Sequence, residues 1–235
     1  MTLRFLSFNL HGGRSLDGKR DLTRIHDLME RLNIDIGVFQ EMETRPSAGG
    51  AVDGVAQLSG AARPHHFPGP SMNDEKGWYG NLIVSRYEIT RGLFHNLETK
   101  PDLEPRNAID AVIATPYGKI RVIGTHLSLS LFERQSEARN LMRLMDSVED
   151  SEKLPLFLMG DINEWQWRAK LLRHLDSLMT PLPCRATFPS FLPVLRLDRA
   201  WHRAPGFKMT AHRIDGPEVR HLSDHLPIVL QATPA

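Results

Sequence analysis

Leu156-Phe157-Leu158-Met159-Gly160-Asp161-Ile162-Asn163-Glu164 is the stretch whose reading decides the fold. The apolar run reads as a buried strand, Gly160 permits a tight turn, and Asp161 and Asn163 follow where the strand has ended. Such a strand delivers polar groups to a rim. The layout recurs: Phe5–Phe8 runs into Asn9, Ile36–Phe39 into Gln40 and Glu41, and Ile120–Thr125 into His126. Ser223, Asp224 and His225 instead precede the apolar run Leu226–Leu230. In open α/β sheets, ligands collect beyond strand ends. The gathered groups are carboxylates, amides and histidines with no cysteine, a set that suits a hard cation, Mg²⁺ or alternatively Mn²⁺, better than Zn²⁺.

The remainder of the chain gives an α/β (α+β) pattern. Asp21–Leu32 carries Leu22, Ile25, Leu28, Met29 and Leu32 at helical spacing, and Ile34–Phe39 closes a β-α-β opening with a right-handed crossover. Residues 44–70 are expected to hold a helix around Val52–Ser59 and then a solvated loop with His65 and His66. Gly80–Ser85 and Asn107–Ala114 read as strands of a second half, joined by a surface connection over Lys100–Arg106. Pro116-Tyr117-Gly118 turns a hairpin, Leu131–Val148 is an amphipathic helix, and Trp165–Leu175 a short basic one. Strands are expected around Leu195–Trp201 and over Leu226–Leu230. The pattern fits one domain over residues 1–235, with two mixed sheets packed face to face and helices outside.

Composition narrows the function. An apolar content of 41% and a charged content of 24% are ordinary for a globular protein, and a net charge of +1 gives no global attraction for a polyanion. Nucleic acid is therefore a partner only through a local patch, and is not favoured. Cys184 is the only cysteine, which excludes an intrachain disulfide and points to a reducing, cytoplasmic setting. Met1–Leu10 alternates like a strand and lacks the apolar core of a secretory signal. No apolar run reaches membrane-span length, so the expectation is a monomer that is soluble or bound peripherally to a membrane.

Five short motifs occur in order: Ser7-Phe8-Asn9-Leu10-His11, Phe39-Gln40-Glu41, Gly124-Thr125-His126-Leu127, Met159-Gly160-Asp161-Ile162-Asn163-Glu164-Trp165 and Leu222-Ser223-Asp224-His225-Leu226-Pro227. Each is weak alone. Together, across nearly the whole chain, they resemble the endonuclease/exonuclease/phosphatase superfamily, the fold of DNase I. The resemblance implies a four-layer sandwich and a Mg²⁺-dependent hydrolase of phosphate esters. It makes Glu41 the principal metal ligand, with Asn9 beside it and Asp224 near, and has Asp161 and Asn163 position the attacking water and bind phosphate. His126 and His225 become contacts of the scissile phosphate. Adjacent side chains on a strand face opposite ways, so Asp224 cannot orient His225. Asp198 matches the aspartate that pairs with this histidine in the superfamily. By the same resemblance Asn81 and Arg106 touch phosphate or brace the site, whereas Trp165 follows Asp161 and Asn163 closely enough in sequence to line the cleft and stack on a base or cover an acyl chain. Trp167 is expected to pack a helix start.

His126 stands where the apurinic-endonuclease branch has tyrosine, which places the chain nearer the DNase I, sphingomyelinase and phosphatase branches. The resemblance implies in-line attack of water on a small or lipid-linked anionic phosphate ester, with either Asp161 or the Asp198–His225 pair as base. The alternatives are a nonspecific nuclease and an inactive phosphate-binding module. Arg168, Lys170, Arg173, His174, Arg196, Arg199, His202 and Arg203 add local positive charge close in sequence to these motifs.

Overall fold

Strand β1 (Leu3–Asn9) is buried throughout except at Arg4, because it sits inside a sheet that is covered on both faces. Its side chains alternate: Leu3 and Phe5 point into the apolar layer between two sheets, while Leu6 and Phe8 point into a second layer beneath the helices. Helix α1 (Thr23–Arg31) covers that outer layer with Ile25, Leu28 and Met29, and returns the chain to β2 (Ile36–Glu43), parallel to β1. The computed structural model describes residues 2–98, 104–147 and 153–235.

The first sheet has six strands. After α2 (Gly54–Ser59), β3 (His65–Asn73) and β4 (Trp78–Ser85) extend it beyond β2, and β11 (Phe207–Arg213) and β12 (Ile228–Pro234) complete it on the far side of β1. The second sheet runs β5 (Ile89–Asn96), β6 (Asn107–Thr115), β7 (Gly118–His126), β8 (Leu156–Asp161), β10 (Asp198–Arg203) and β9 (Thr180–Leu182). Here α3 (Leu131–Ser147) links the parallel pair β7 and β8, and with α4 (Lys170–Leu178) it covers the outer face through Leu141, Leu171 and Leu175. Phe157 and Met159 of β8 face the inner layer, and Leu156 and Leu158 the outer one. The result is helices, sheet, sheet and helices, the DNase I-like sandwich expected from the sequence.

Several elements differ from that expectation. His65 and His66 begin an edge strand in place of a solvated loop; Pro68 and Pro70 are tolerated there because β3 pairs only with β4. Strand β4 belongs to the first sheet, antiparallel to β2, and the second sheet opens with β5, whose mostly exposed residues give little apolar signal. Residues 165–169 are not helical, and α4 starts at Lys170. The expected strand over 195–201 begins only at Asp198, and β9 and β11 were not anticipated. Gly160 lies within β8 and makes no turn: its φ is 151°, and a Cβ there would overlap the Thr125 carbonyl oxygen of the neighbouring strand. Residues 100–103 of the expected connection, and Val148, lie outside the described residues.

Candidate active site

Two parallel β-α-β units, one per sheet, end at the same rim. Asn9 continues the inward-facing row Leu3, Phe5 and Ser7, and Asp161 continues the row Phe157 and Met159, so the two meet where the sheets face each other. The Asn9 Nδ2 donates to Asp161 Oδ2 at 3.0 Å and to Glu41 Oε1 at 2.9 Å. Alternation alone would turn Glu41 outward with Phe39. A β-bulge between Phe39 and Met42, with Glu41 at φ 55°, redirects its carboxylate toward Asn9.

His126 ends the inward row Ile120 and Val122 of β7 and pairs in register with Asp161. Its Nδ1 lies 3.2 Å from Arg106 Nη1. A guanidinium can only donate, as can an amide nitrogen, so the neutral ring accepts either from Arg106 at Nδ1 or from Asn163, 3.2 Å away, at Nε2. Nε2 is 3.6 Å from Asp161 Oδ2 and 3.8 Å from Glu41 Oε1. Burial, with the charges of Arg106 and His225 nearby, holds the His126 pKa well below the usual histidine range.

Asn163 is not extended from Asp161. Its φ is 53°, its backbone N–H donates to Asp161 Oδ1 at 2.9 Å, and its side-chain Nδ2 donates to the Leu127 carbonyl at 2.8 Å. The turn still brings its amide to 3.2 Å from His126 Nε2, so Asp161, Asn163 and His126 form one group.

On the opposite side, His225 lies just ahead of β12 with its Nδ1 2.8 Å from Asp198 Oδ2 and its Nε2 3.6 Å from Asp161 Oδ2. Asp198, at the start of β10 and opposite Asp161 in register, also accepts a 2.5 Å hydrogen bond from Thr187, and the Phe188 ring lies 4.9 Å from the imidazole. Burial opposes a charge on His225, yet Asp198, Asp161 and Asp224 together raise its pKa to about 10. Burial raises Asp161 to about 6, with His225 and the hydrogen bonds from Asn9 and Asn163 pulling the other way. The Asp198–His225 pairing is the one anticipated, and Asp198 makes no ion pair with its flanking arginines.

The oxygen donors suit a divalent cation. Glu41 and Asp224 keep 22% and 31% of their side chains exposed, so both can face a hydrated ion, and Ser223 ties Asp224 to the same spot by donating to the Asn9 carbonyl at 2.8 Å. Asp161, Asp198 and His225 also form a group compact enough to hold a metal among the described residues. Asp198 and His225 are bonded to each other at 2.8 Å, however, which leaves Asn9, Glu41 and Asp224 as the set with solvent-facing oxygens.

Asn81 stands one step back. Its Nδ2 donates across the sheets to Asn107 Oδ1 at 2.8 Å, and Asn107 in turn donates to Ser71 and to the Gly69 carbonyl. Arg106 is buried and held bidentately by Glu104, which makes it a buttress for His126. Trp165 is 47% exposed beside Asn163, its ring 5.0 Å from the Arg134 guanidinium. Trp167 packs no helix start: it is 74% exposed, with Arg168 over its ring. Asn107, Thr187, Phe188 and Glu104 escaped the sequence reading, since they lie outside the five motifs and reach the site only through folding.

The model of the endonuclease/exonuclease/phosphatase family matches residues 6–225. The chain belongs to this family. Nucleases and phosphatases share one chemistry, hydrolysis of a phosphate ester, and that is the class of activity membership supports. Solved structures share the whole fold at low identity. A family protein from Beutenbergia cavernae is 20% identical with a TM-score of 0.78, over 100% of this chain and 72% of its own. The mannosyl-6-phosphatase of Bacteroides thetaiotaomicron is 18% identical with a TM-score of 0.76, over 98% and 99%. The D. rerio TDP2 protein complexed with single-strand DNA product is 17% identical with a TM-score of 0.71, over 99% of each chain. Over 112 residues, 45% of its length, the chain is also 34% identical to a self-sufficient cytochrome P450 monooxygenase of Penicillium freii, of which it spans 10%. No helix of the described residues is long and apolar enough to cross a membrane.

Proposed function

We propose that the chain is a Mg²⁺-dependent phosphoesterase, with Mn²⁺ as an alternative ion, that hydrolyses an anionic phosphodiester or phosphomonoester by in-line attack of water. The observation that carries this reading is the convergence of Asn9, His126 and His225 within 3.6 Å of one oxygen of Asp161, with Glu41 bonded to the same Asn9 amide. The mannosyl-6-phosphatase and the DNA-product complex among the structural neighbours are consistent with it.

A divalent cation held by Glu41, Asn9 and Asp224 would stabilise charge developing on the phosphoryl oxygens. His225, with Asp161, Asp198 and Asp224 all close enough to favour its imidazolium, donates a hydrogen bond to a phosphoryl oxygen from Nε2. Asp198 and Thr187 fix the plane of that ring. His126, steadied by Arg106 and Asn163, lines the phosphate site beside Asp161, and the Asn163 N–H keeps the Asp161 carboxylate aimed at the attacking water. A charged His225 has no lone pair left to take a proton, so Asp161 is the base.

The test is a panel of bis-p-nitrophenyl phosphate, p-nitrophenyl phosphate, supercoiled plasmid, single-stranded DNA and phospholipids, each assayed with Mg²⁺, Mn²⁺ and EDTA. The expected result is turnover with metal that EDTA abolishes, strongest on the small or lipid-linked esters. Preferred cleavage of DNA would turn the assignment to a nuclease. No turnover on any ester by a folded, metal-binding protein would turn it to a phosphate-binding module.

A further inference from the structure

Exposed apolar side chains crowd the loops that leave the site. Leu129, Leu131 and Phe132 follow His126, and Trp165 and Trp167 follow Asn163. Across the cleft, Phe191, Leu192 and Val194 stand exposed on the loop whose Phe188 lies against His225 and whose Ser190 N–H donates to the Asp224 carbonyl. Exposed apolar side chains scattered singly over a surface need no explanation; eight of them on the loops and the start of α3 flanking one cleft do.

The His126 side of this rim is rigid. Arg134 is fully buried, donates to the carbonyls of Ser128 and Leu129 at 3.0 and 2.7 Å, pairs with the buried Glu164 carboxylate at 3.3 Å, and lies under the Trp165 ring. One guanidinium thus fastens the loop after His126 to the loop after Asp161. The same guanidinium fixes the places from which Leu129 and Trp165 project into solvent. Phe191 and Trp167 each edge a separate hollow, and the other rim side chains project into solvent, so what the rim would meet is decided by the charge around it. Arg168, Lys170 and Arg173 stand exposed next to Trp167, and Arg185 and Arg196 next to the opposite loop, a basic surround that complements anionic headgroups.

We infer that this rim docks the protein on an anionic phospholipid surface, with the mouth of the site facing the headgroups. The inference rests on the phosphoesterase reading and deepens it by naming where the substrate is held.

The experiment is flotation of the full chain with vesicles of phosphatidylcholine containing phosphatidylglycerol, in EDTA so that binding is read without turnover. The wild type and the double variant Leu129→Ser, Phe132→Ser are compared. These side chains are 67% and 83% exposed, so the variant folds, and neither belongs to the catalytic set. The wild type should float, less so as salt rises, and the variant should bind at least about tenfold more weakly, since two apolar side chains no longer insert. Its turnover of soluble bis-p-nitrophenyl phosphate should match wild type. Equal flotation of both proteins, or none of the wild type, overturns the docking. So does a variant that loses affinity for single-stranded DNA and not for vesicles, which would make the rim a base-stacking platform. Vesicle binding by a protein that hydrolyses no ester would sink the phosphoesterase and leave the docking standing, and the converse pattern would do the reverse.

Discussion

The first sheet brings Asn9 and, through a bulge, Glu41 to the cleft, where Glu41 remains partly open to solvent. The second brings His126, Asp161 and Asp198, every one buried, and Asp161 and His126 titrate far from their ordinary ranges. Solvent access suits a ligand that must exchange water for an ion, whereas burial suits groups that must hold or move a proton in low dielectric. On the proposed reading, the contrast gives metal binding to the first sheet and proton chemistry to the second, with Asn9 bonded to both Glu41 and Asp161. His225 and Asp224, adjacent in sequence ahead of β12, divide the same way: His225 bonds to Asp198 of the second sheet, and Asp224 stays with the metal side.

The largest effect should come from breaking the proton side. His225→Ala is expected to lower kcat by about 10²–10³-fold, as loss of one positioned hydrogen-bond donor to developing charge does, while leaving the metal requirement unchanged; steady-state kinetics against Mg²⁺ concentration reads both. Next in size is Arg134→Ala. It strands the buried Glu164 carboxylate and should cost about 3–5 kcal/mol of stability by chemical denaturation.

A pH experiment sharpens the comparison without a substrate. With His225 raised to about 10 in the metal-free fold, the imidazolium contributes stability that is fully present below the ordinary value near 6.5 and lost as pH rises through about 10. Thermal unfolding in EDTA should show that loss in the wild type and a much smaller one in Asp198→Asn. Equal profiles would remove Asp198 as the source. The smallest effect belongs to His65→Ala. His65 pairs with Ser85, itself opposite Ile36 at the start of β2, so it lies at the end of the sheet away from Glu41, and neither activity nor stability should change measurably.

Much of this site could be read in the sequence because each apolar run is short and ends abruptly in a carboxylate, amide or imidazole. For Asn9, His126 and Asp161, position in the run already gives the inward direction. Glu41 is different: strict alternation points it the wrong way, and only a bulge that no residue pattern announces corrects it. Asn163 likewise reaches His126 through a turn with positive φ in place of an extended step. Edge strands β3 and β5 were hidden because prolines and exposed positions blur their period. Strand β11 does alternate, with Phe207, Met209 and Ala211 inward, and was legible in principle. The supports Thr187, Asn107 and Glu104 could not be found, since each acts across a long sequence gap or through a second side chain.

The most direct measurement is the Mg²⁺ concentration at half-maximal turnover of bis-p-nitrophenyl phosphate for wild type and Glu41→Gln. The division between the sheets predicts that Glu41→Gln raises it at least about tenfold, the loss of one charged ligand, with turnover recovering at high metal. An unchanged metal requirement, or a loss of turnover that no amount of Mg²⁺ restores, would contradict metal binding by the first sheet.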